Sequence, residues 1–298
     1  MRINVISPST NSLNTIKDGK NVQGDELVAR LWVKALQKNP NVERASLNGK
    51  GIYDVSITFT PYIEPTSGYK ILYMQNVFPK PAFAGTAQIF NLIKNRYNNY
   101  IFPSNGLKRA TGEIKGHICQ FATDMEVFCK RKENHRYSHN LCFVGNRIRK
   151  EETTEKYLTC VKDKGLVIYG NKNGWNTSVC KGKISLFDES VLYSSSKICL
   201  NAHLKEHLEY GTYNFRIFNI LACGGFIISD HSEYLEKEFG ECIVFTDGYD
   251  DLRDKVDYFL SHPEETIKYR MAGIKKVKES HTFDIRMNEM VKWLQEVL

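Results

Sequence analysis

Apolar runs rich in β-branched and aromatic residues recur along this chain, most of them ending in glycine or a small polar residue. They read RINVIS at 2–7, YDVSITF at 53–59, LCFVG at 141–145, LVIYG at 166–170, SKICLN at 196–201 and FIIS at 226–229. Runs apolar on both faces suit the inner strands of a parallel sheet, where helices cover each side. Stretches with helical spacing separate them. From Asp25 to Lys38 the apolar set is Leu27, Val28, Leu31, Trp32, Ala35 and Leu36, and Asn39-Pro40 ends it. Val42 to Leu47, Lys70 to Met74 and Tyr100 to Pro103 read as further short strands. Strand and helix alternate twice, on either side of a polar, charged stretch from Phe128 to Asn140. The pattern predicts an α/β chain with a parallel sheet in each half, helices on both faces, and the ligand at the carboxyl ends of the strands.

A length of 298 residues agrees with two domains. The eight cysteines form no CxxC pair, so neither zinc nor dithiol chemistry has its usual ligand spacing. Most lie in apolar runs (Cys142, Cys199, Cys223, Cys242), where a reduced thiol acts as a small hydrophobe. With no apolar leader at the start and no run long enough to span a bilayer, the expectation is a reducing cytoplasm. The net charge of +7 is uneven: residues 1–132 hold 18 Lys+Arg against 9 Asp+Glu. The first half is thus expected to meet something anionic, such as a phosphorylated acceptor, nucleic acid or the inner face of a membrane. A solvated, lysine-rich surface explains the same count. That half shows no helix-turn-helix, zinc or RNP-type motif.

Two segments of the second half carry residues suited to an anionic ligand. Gly145-Asn146-Arg147-Ile148-Arg149 follows a strand and precedes a helix, putting two guanidinium groups at the sheet edge. Gly211-Thr212-Tyr213-Asn214 reads as a helix entrance, capped by Thr212 or Asn214, with Arg216 in the first turn. Free N–H groups there attract a diphosphate. The plainer alternatives are a surface loop for the first segment and an Arg216–Glu209 ion pair for the second.

Several segments, in order, resemble the CgeB-like, group 1 glycosyltransferases. Gln120–Phe128 (QFATDMEVF) is similar to the family's P-F-A-T-D-x-x-x-F, and Asn140–Asn146 (NLCFVGN) to d-v-x-F-V-G-n. Leu166–Gly170 with Trp175 resembles l-x-l-Y-G-x-x-W. Lys181–Ile184, Tyr193 and Ile198–Asn201 resemble the next block. Gly211 through Arg216 to Phe226 resembles G-x-x-x-R-x-F-E-x-l-A-C-G-g-F, and His281-Thr282 with Arg286 resembles h-T-y-x-x-R. The resemblance covers about 175 residues from Cys119 onward. It implies an α/β chain of GT-B fold, two Rossmann-like domains facing a cleft: an acceptor-side domain over 1–130, a donor-binding domain over 131–284, and a terminal helix, 285–298, packing back on the first domain.

It also implies a glycosyltransferase that needs no cofactor or metal. The donor is a nucleotide-diphosphate sugar, UDP being the commonest nucleotide. Arg216 and Arg147 would stabilise the leaving diphosphate. Gly145, Asn146, Arg149, Lys183, Ile184, Asn201, Gly211, Thr212, Tyr213, Asn214 and Asn219 would bind the donor, the base lying near Lys183 to Ser185. Asn219 stands where the family often has a glutamate that holds ribose hydroxyls, so no catalytic glutamate is carried over. An inverting reaction needs a general base on the acceptor side. Asp25, Asp18 and His117 are the candidates, with Asp25 first, although it also suits a plain helix cap. Asp250-Asp251 reads as an N-cap pair rather than a metal site. The alternative function is a non-catalytic nucleotide-sugar-binding protein, which Asn219 favours. An epimerase or phosphorylase of this fold would need a longer chain and a carboxylate pair or cofactor lysine.

Overall fold

The protein is described here by a computed structural model that covers residues 1–8, 24–78, 85–113, 115–147, 152–171, 175 and 178–298. Asp18, Arg149 and most of the polar stretch from Ser7 to Gly24 lie outside them. The first half contains β1 (Arg2–Ile6), α1 (Gly24–Gln37), β2 (Arg44–Leu47), β3 (Val55–Thr58), β4 (Tyr69–Tyr73), α2 (Thr86–Ile93), β5 (Asn99–Phe102), α3 (Asn105–Ala110) and β6 (His117–Ile118). Its strands form one parallel sheet in the order β2-β1-β3-β4-β5-β6. The second half contains β7 (Leu141–Val144), α4 (Glu152–Thr159), β8 (Leu166–Tyr169), α5 (Leu186–Ser195), β9 (Ile198–Asn201), α6 (Lys205–Tyr210), α7 (Phe215–Ala222), β10 (Ile227–Asp230), α8 (Glu233–Phe239), β11 (Ile243–Thr246), α9 (Tyr249–Ser261), α10 (Thr266–Ser280) and α11 (Phe283–Val297). Its sheet, also parallel, runs β11-β10-β9-β7-β8.

In both sheets the first strand of the half pairs with the third, leaving the second outside. Ile3 pairs with Val55, and Cys142 with Cys199. The strand order reverses at these places, and a crevice opens above the carboxyl ends of β1/β3 and of β7/β9. The helical period of α1 is realised: Leu27, Val28, Leu31, Trp32 and Leu36 are buried. Trp32 meets Phe59 and Tyr73 at ring-centroid distances of 4.9 and 4.8 Å, geometries that aromatic pairs favour.

The chain passes between the halves twice, at adjacent places. Thr123 donates its N–H to His281 O at 3.0 Å, and Phe283 N–H donates to Thr123 O at 2.9 Å, a parallel bridge between the two crossings. Beyond it, α11 lies on α1. Met287, Met290, Val291 and Leu294 are fully buried there. Asn39 donates to Asn288 at 2.7 Å, and Lys38 joins Asp284 at 2.9 Å. The ring of His117 stacks on Trp293 at 5.0 Å, so the imidazole is occupied as a packing surface. Among the described residues no helix is long and apolar enough to cross a membrane.

Two local expectations need correction. Gly211 and Thr212 do not open a helix. Gly211 ends α6, with φ 63° in the left-handed region, where glycine is favoured because it lacks a Cβ. Asp250 and Asp251 lie inside the first turn of α9 and Gly248 holds the N-cap position; Asp251 accepts from the N–H of Asp247 at 2.9 Å.

Candidate active site

The carboxyl edges of the two sheets face one another. Ser104, just after β5, donates to Tyr210 O at 2.7 Å, and its hydroxyl lies 3.3 Å from that of Thr212. A Cβ on Gly106 would come within 2.2 Å of Tyr210 O, so the start of α3 meets the segment leading into α7 backbone to backbone.

On the second sheet, Arg216 sits over the β7/β9 crevice. Asn214 caps α7, its Oδ1 accepting from Ile217 N–H at 3.3 Å and its amide donating to Ala202 O at 3.2 Å. This places Arg216 in the first turn. Its guanidinium donates through Nε to Val144 O and through Nη1 to Asn201 Oδ1, the latter at 2.9 Å. It lies 4.2 Å above the Phe143 ring. Nη2 has no protein acceptor among the described residues, and the predicted alternative partner Glu209 is not on it. Burial pushes the guanidinium below its ordinary pKa, opposed by Tyr193, Glu189 and Asp230; an arginine stays charged under such a shift.

Two glycines make room for this arrangement. A Cβ on Gly145 would stand 2.5 Å from Arg216 Nη2, and one on Gly170 would stand 2.1 Å from Gly145 O. Trp175 donates its indole N–H to that same Gly145 O at 3.0 Å. Gly145→Ala is therefore expected to displace the guanidinium. A shift of about 1 Å in a charged contact costs up to about 10²-fold in function. Titration of the variant with UDP, alongside a melting curve, checks this: affinity falls while the fold stays intact.

Behind Arg216 runs a polar network that fixes Asn201, which is fully buried. Asn201 donates to Ser229 Oγ at 2.9 Å, and Ser229 donates to Asp230 Oδ1 at 2.9 Å. Asp230 also accepts the backbone N–H of His203 at 2.7 Å and lies 2.7 Å from its Nδ1. Burial raises the Asp230 carboxyl, but the His203 contacts outweigh it and hold the pKa below the usual range. The pair locks the β9 and β10 ends that carry Asn201.

The other predicted donor residues divide into those at this edge and those tied up elsewhere. Asn146 is exposed beside Gly145, its Oδ1 accepting from Asn171 N–H at 2.8 Å. Arg147 is paired with Glu155 at 2.8 Å. Lys183 is exposed and Ile184 buried, just before α5. Thr212 is buried against Ser104. Gly211 lies under the Tyr234 ring, and Tyr213 donates its hydroxyl to Tyr234 O at 2.9 Å. Asn219 is 2% exposed and accepts from Thr123 Oγ1 at 2.8 Å, so it ties α7 to the first crossing.

Residue-by-residue reading passes over Glu189. It lies on α5, half-buried, and accepts from the fully buried Tyr193 hydroxyl at 2.8 Å. Burial raises its pKa to about 7, against the lowering effects of Tyr193 and Arg216. The one available signal was a glutamate four residues before a tyrosine on the same helix face.

On the first sheet, Asp25 opens α1, which runs back from the carboxyl edge. The carboxyl is reachable from solvent, yet desolvation by surrounding protein raises its pKa. It is close enough to the last residue of β4, Tyr73, to add to the rise in that hydroxyl's pKa, which is caused mainly by burial.

Residues 149–292 match a family model described as glycosyl transferase-like. Spore protein CgeB of Bacillus subtilis (strain 168) is 29% identical over 101 residues, which cover 31% of this chain and 31% of CgeB. The match thus spans under a third of that relative's length. The Anabaena HepE structure in complex with UDP-glucose superposes with a TM-score of 0.71 at 8% identity, covering 99% of this chain and all of HepE. An alpha-glucosyltransferase in complex with UDP and a 13-mer DNA gives 0.66 at 10% identity, covering 99% of this chain and 100% of that one. The fold is that of the GT-B glycosyltransferases, and residues 149–292 are similar to the glycosyl transferase-like family.

Proposed function

We propose that this GT-B chain transfers a sugar from a nucleotide-diphosphate sugar to a hydroxyl of an anionic acceptor, without a metal. The observation that carries this reading is Arg216: a largely buried cation at the strand-order reversal, with two of its nitrogens fixed and the third unpaired. A charged donor held rigid in a site of low dielectric stabilises a leaving diphosphate without reorganising during the reaction. The anomeric C–O bond to the diphosphate breaks, and the electron pair leaves with the phosphate oxygen beside Arg216. A new C–O bond forms to the acceptor oxygen, whose proton passes to Asp25. The amides opening α7, with Asn201 behind Arg216, complete the donor side; Gly145, Asn146, Lys183 and Ile184 border it. Arg147 joins it by exchanging Glu155 for phosphate.

UDP is the proposed nucleotide, supported by the UDP ligands of the two structural neighbours. An anionic acceptor is supported by the charge of the first half. Several of its carboxylates are already paired, as in Arg2–Asp54, Arg30–Glu26 and Lys70–Glu64. Among the described residues, Lys50, Lys94 and Arg109 form no ion pair, and Arg109 lies on α3 beside the interdomain contact.

The test is a calorimetric screen of UDP, GDP, ADP and dTDP in EDTA, followed by turnover assays with the sugars of whichever binds. UDP is expected to bind best, and turnover on a phosphorylated acceptor to fall with added salt. Binding without turnover on any acceptor would favour the non-catalytic alternative. No binding at millimolar concentration would sink the donor site.

A further inference from the structure

The second half of the chain is slightly acidic, with 23 Lys+Arg against 25 Asp+Glu over residues 133–298. Helix α10 departs from that balance: five of its 15 residues are basic and one, Glu279, is acidic. One face of the helix is pressed on α7. Thr266, Gly273 and Val277 are buried there, and a Cβ on Gly273 would come within 2.7 Å of Leu221. Two basic residues bordering that face are engaged. Arg270 donates to Gly224 O at 2.8 Å and to Lys197 O at 2.7 Å, and Lys276 pairs with Glu238 at 3.2 Å. The opposite face carries Ile267, Met271, Lys275 and Lys278, a spacing that aligns them along one side, with Lys268 at its border. All five are exposed, Ile267 by 59% and Met271 by 61%. Lys268, Lys275 and Lys278 form no ion pair among the described residues. Lys130, just beyond the first crossing, is exposed beside the same helix. Its Cδ and Ile274 Cδ1 lie 3.7 and 3.1 Å from the place a Cβ on Gly224 would take.

We propose that this face of α10 docks on a bilayer rich in anionic lipid headgroups. Single exposed apolar side chains need no explanation. Two aliphatics one turn apart, ringed by unpaired lysines, are a different case. The aliphatics can enter the acyl boundary while the lysine stems snorkel and keep each ammonium among the headgroups. The composition argues against other occupants. Protein interfaces favour Tyr, Trp and Arg and are depleted in Lys. A second copy of the chain would set lysine against lysine. A nucleic acid would meet the lysines, but its bases stack on aromatic rings, and Ile267 and Met271 offer none. The surface lies on the half opposite to the one with the charge excess, and its assignment does not depend on the donor site.

The experiment co-sediments the full chain with phosphatidylcholine vesicles and with vesicles containing phosphatidylglycerol, at low salt. A lysine near an anionic surface contributes about fivefold in affinity, so wild type should prefer the anionic vesicles by about a hundredfold. The triple variant Lys268→Gln, Lys275→Gln, Lys278→Gln should lose most of that preference. The double variant Ile267→Ser, Met271→Ser should bind about tenfold more weakly. Both should melt like wild type, because the altered side chains project into solvent. The tryptophan emission of Ile267→Trp should shift to the blue on anionic vesicles. Lys50→Gln, Lys94→Gln, Arg109→Gln, all on the first half, should together change binding less than about threefold. Wild type that ignores anionic vesicles would overturn the proposal. So would a preference that survives the α10 lysine variant and falls with the first-half one, or an Ile267→Trp emission that does not move. Binding of a short DNA duplex in preference to vesicles, dependent on the α10 lysines but not on Ile267 and Met271, would assign the face to a polyanion instead.

Discussion

Arg216→Ala is expected to reduce UDP affinity and sugar transfer by about 10²- to 10³-fold, the loss typical when a preorganised charged donor is removed. The side chain carries several interactions at once, so the variant needs a control. Its removal leaves Val144 O and Asn201 Oδ1 without their donor, which costs about 1–3 kcal/mol of stability for a buried group. A lower melting temperature will accompany the functional loss. Arg216→Lys separates the two effects. Lysine retains the charge but not the planar fork that reaches Val144, Asn201 and the ligand together. It should keep much of the stability and still bind UDP at least about tenfold more weakly. Binding and transfer at wild-type levels in a folded Arg216→Ala protein would show that the diphosphate lies elsewhere.

Asp25→Asn is expected to lower the rate of transfer by about 10²- to 10⁴-fold, the usual contribution of a positioned general base, while UDP affinity changes less than about twofold. The amide keeps the size and can still hydrogen-bond, but it cannot take the acceptor proton. The same carboxyl predicts the acid limb of the pH profile. Desolvation raises its pKa, so activity should fall as pH drops through that raised value, above the ordinary aspartate range. The limb should vanish with the Asn variant. A fully active Asp25→Asn protein would mean that another group receives the proton, or that transfer proceeds without a protein base on the acceptor side.

Strand, glycine and helix spacing made the two-sheet architecture legible, because each unit is local and both faces of the inner strands are apolar. The place of Arg216 in the first turn of a helix was legible too, because Asn214 before an apolar run is a recognisable N-cap. The misreading of Gly211 has a plain cause: glycine marks helix ends as well as helix starts, and α6 has only six residues, too few for a period to register. β6 spans two residues and exists only through its neighbour β5. Glu189 was illegible for another reason. Its environment is assembled from α5 and α7, and a glutamate in the first turn of a helix ordinarily needs no further explanation. Asn219 shows the converse: a position singled out by resemblance is occupied by a contact to Thr123, 96 residues earlier in the chain, that sequence spacing does not reveal.

The seating of α11 on α1 bears on how the protein is made. Ribosomes release a chain from its N-terminus, and domains ordinarily fold in that order, at about 5–20 residues per second of synthesis. Here the surface of α1 that receives Met287, Met290, Val291 and Leu294 waits for residues translated after the whole second sheet, an interval of roughly ten seconds or more at that rate. During it the nascent first domain carries an uncovered apolar face and a lysine, Lys38, still lacking Asp284. Chaperone occupancy of ribosome-bound chains should therefore persist through the second domain's synthesis and end only when the final helix clears the exit tunnel.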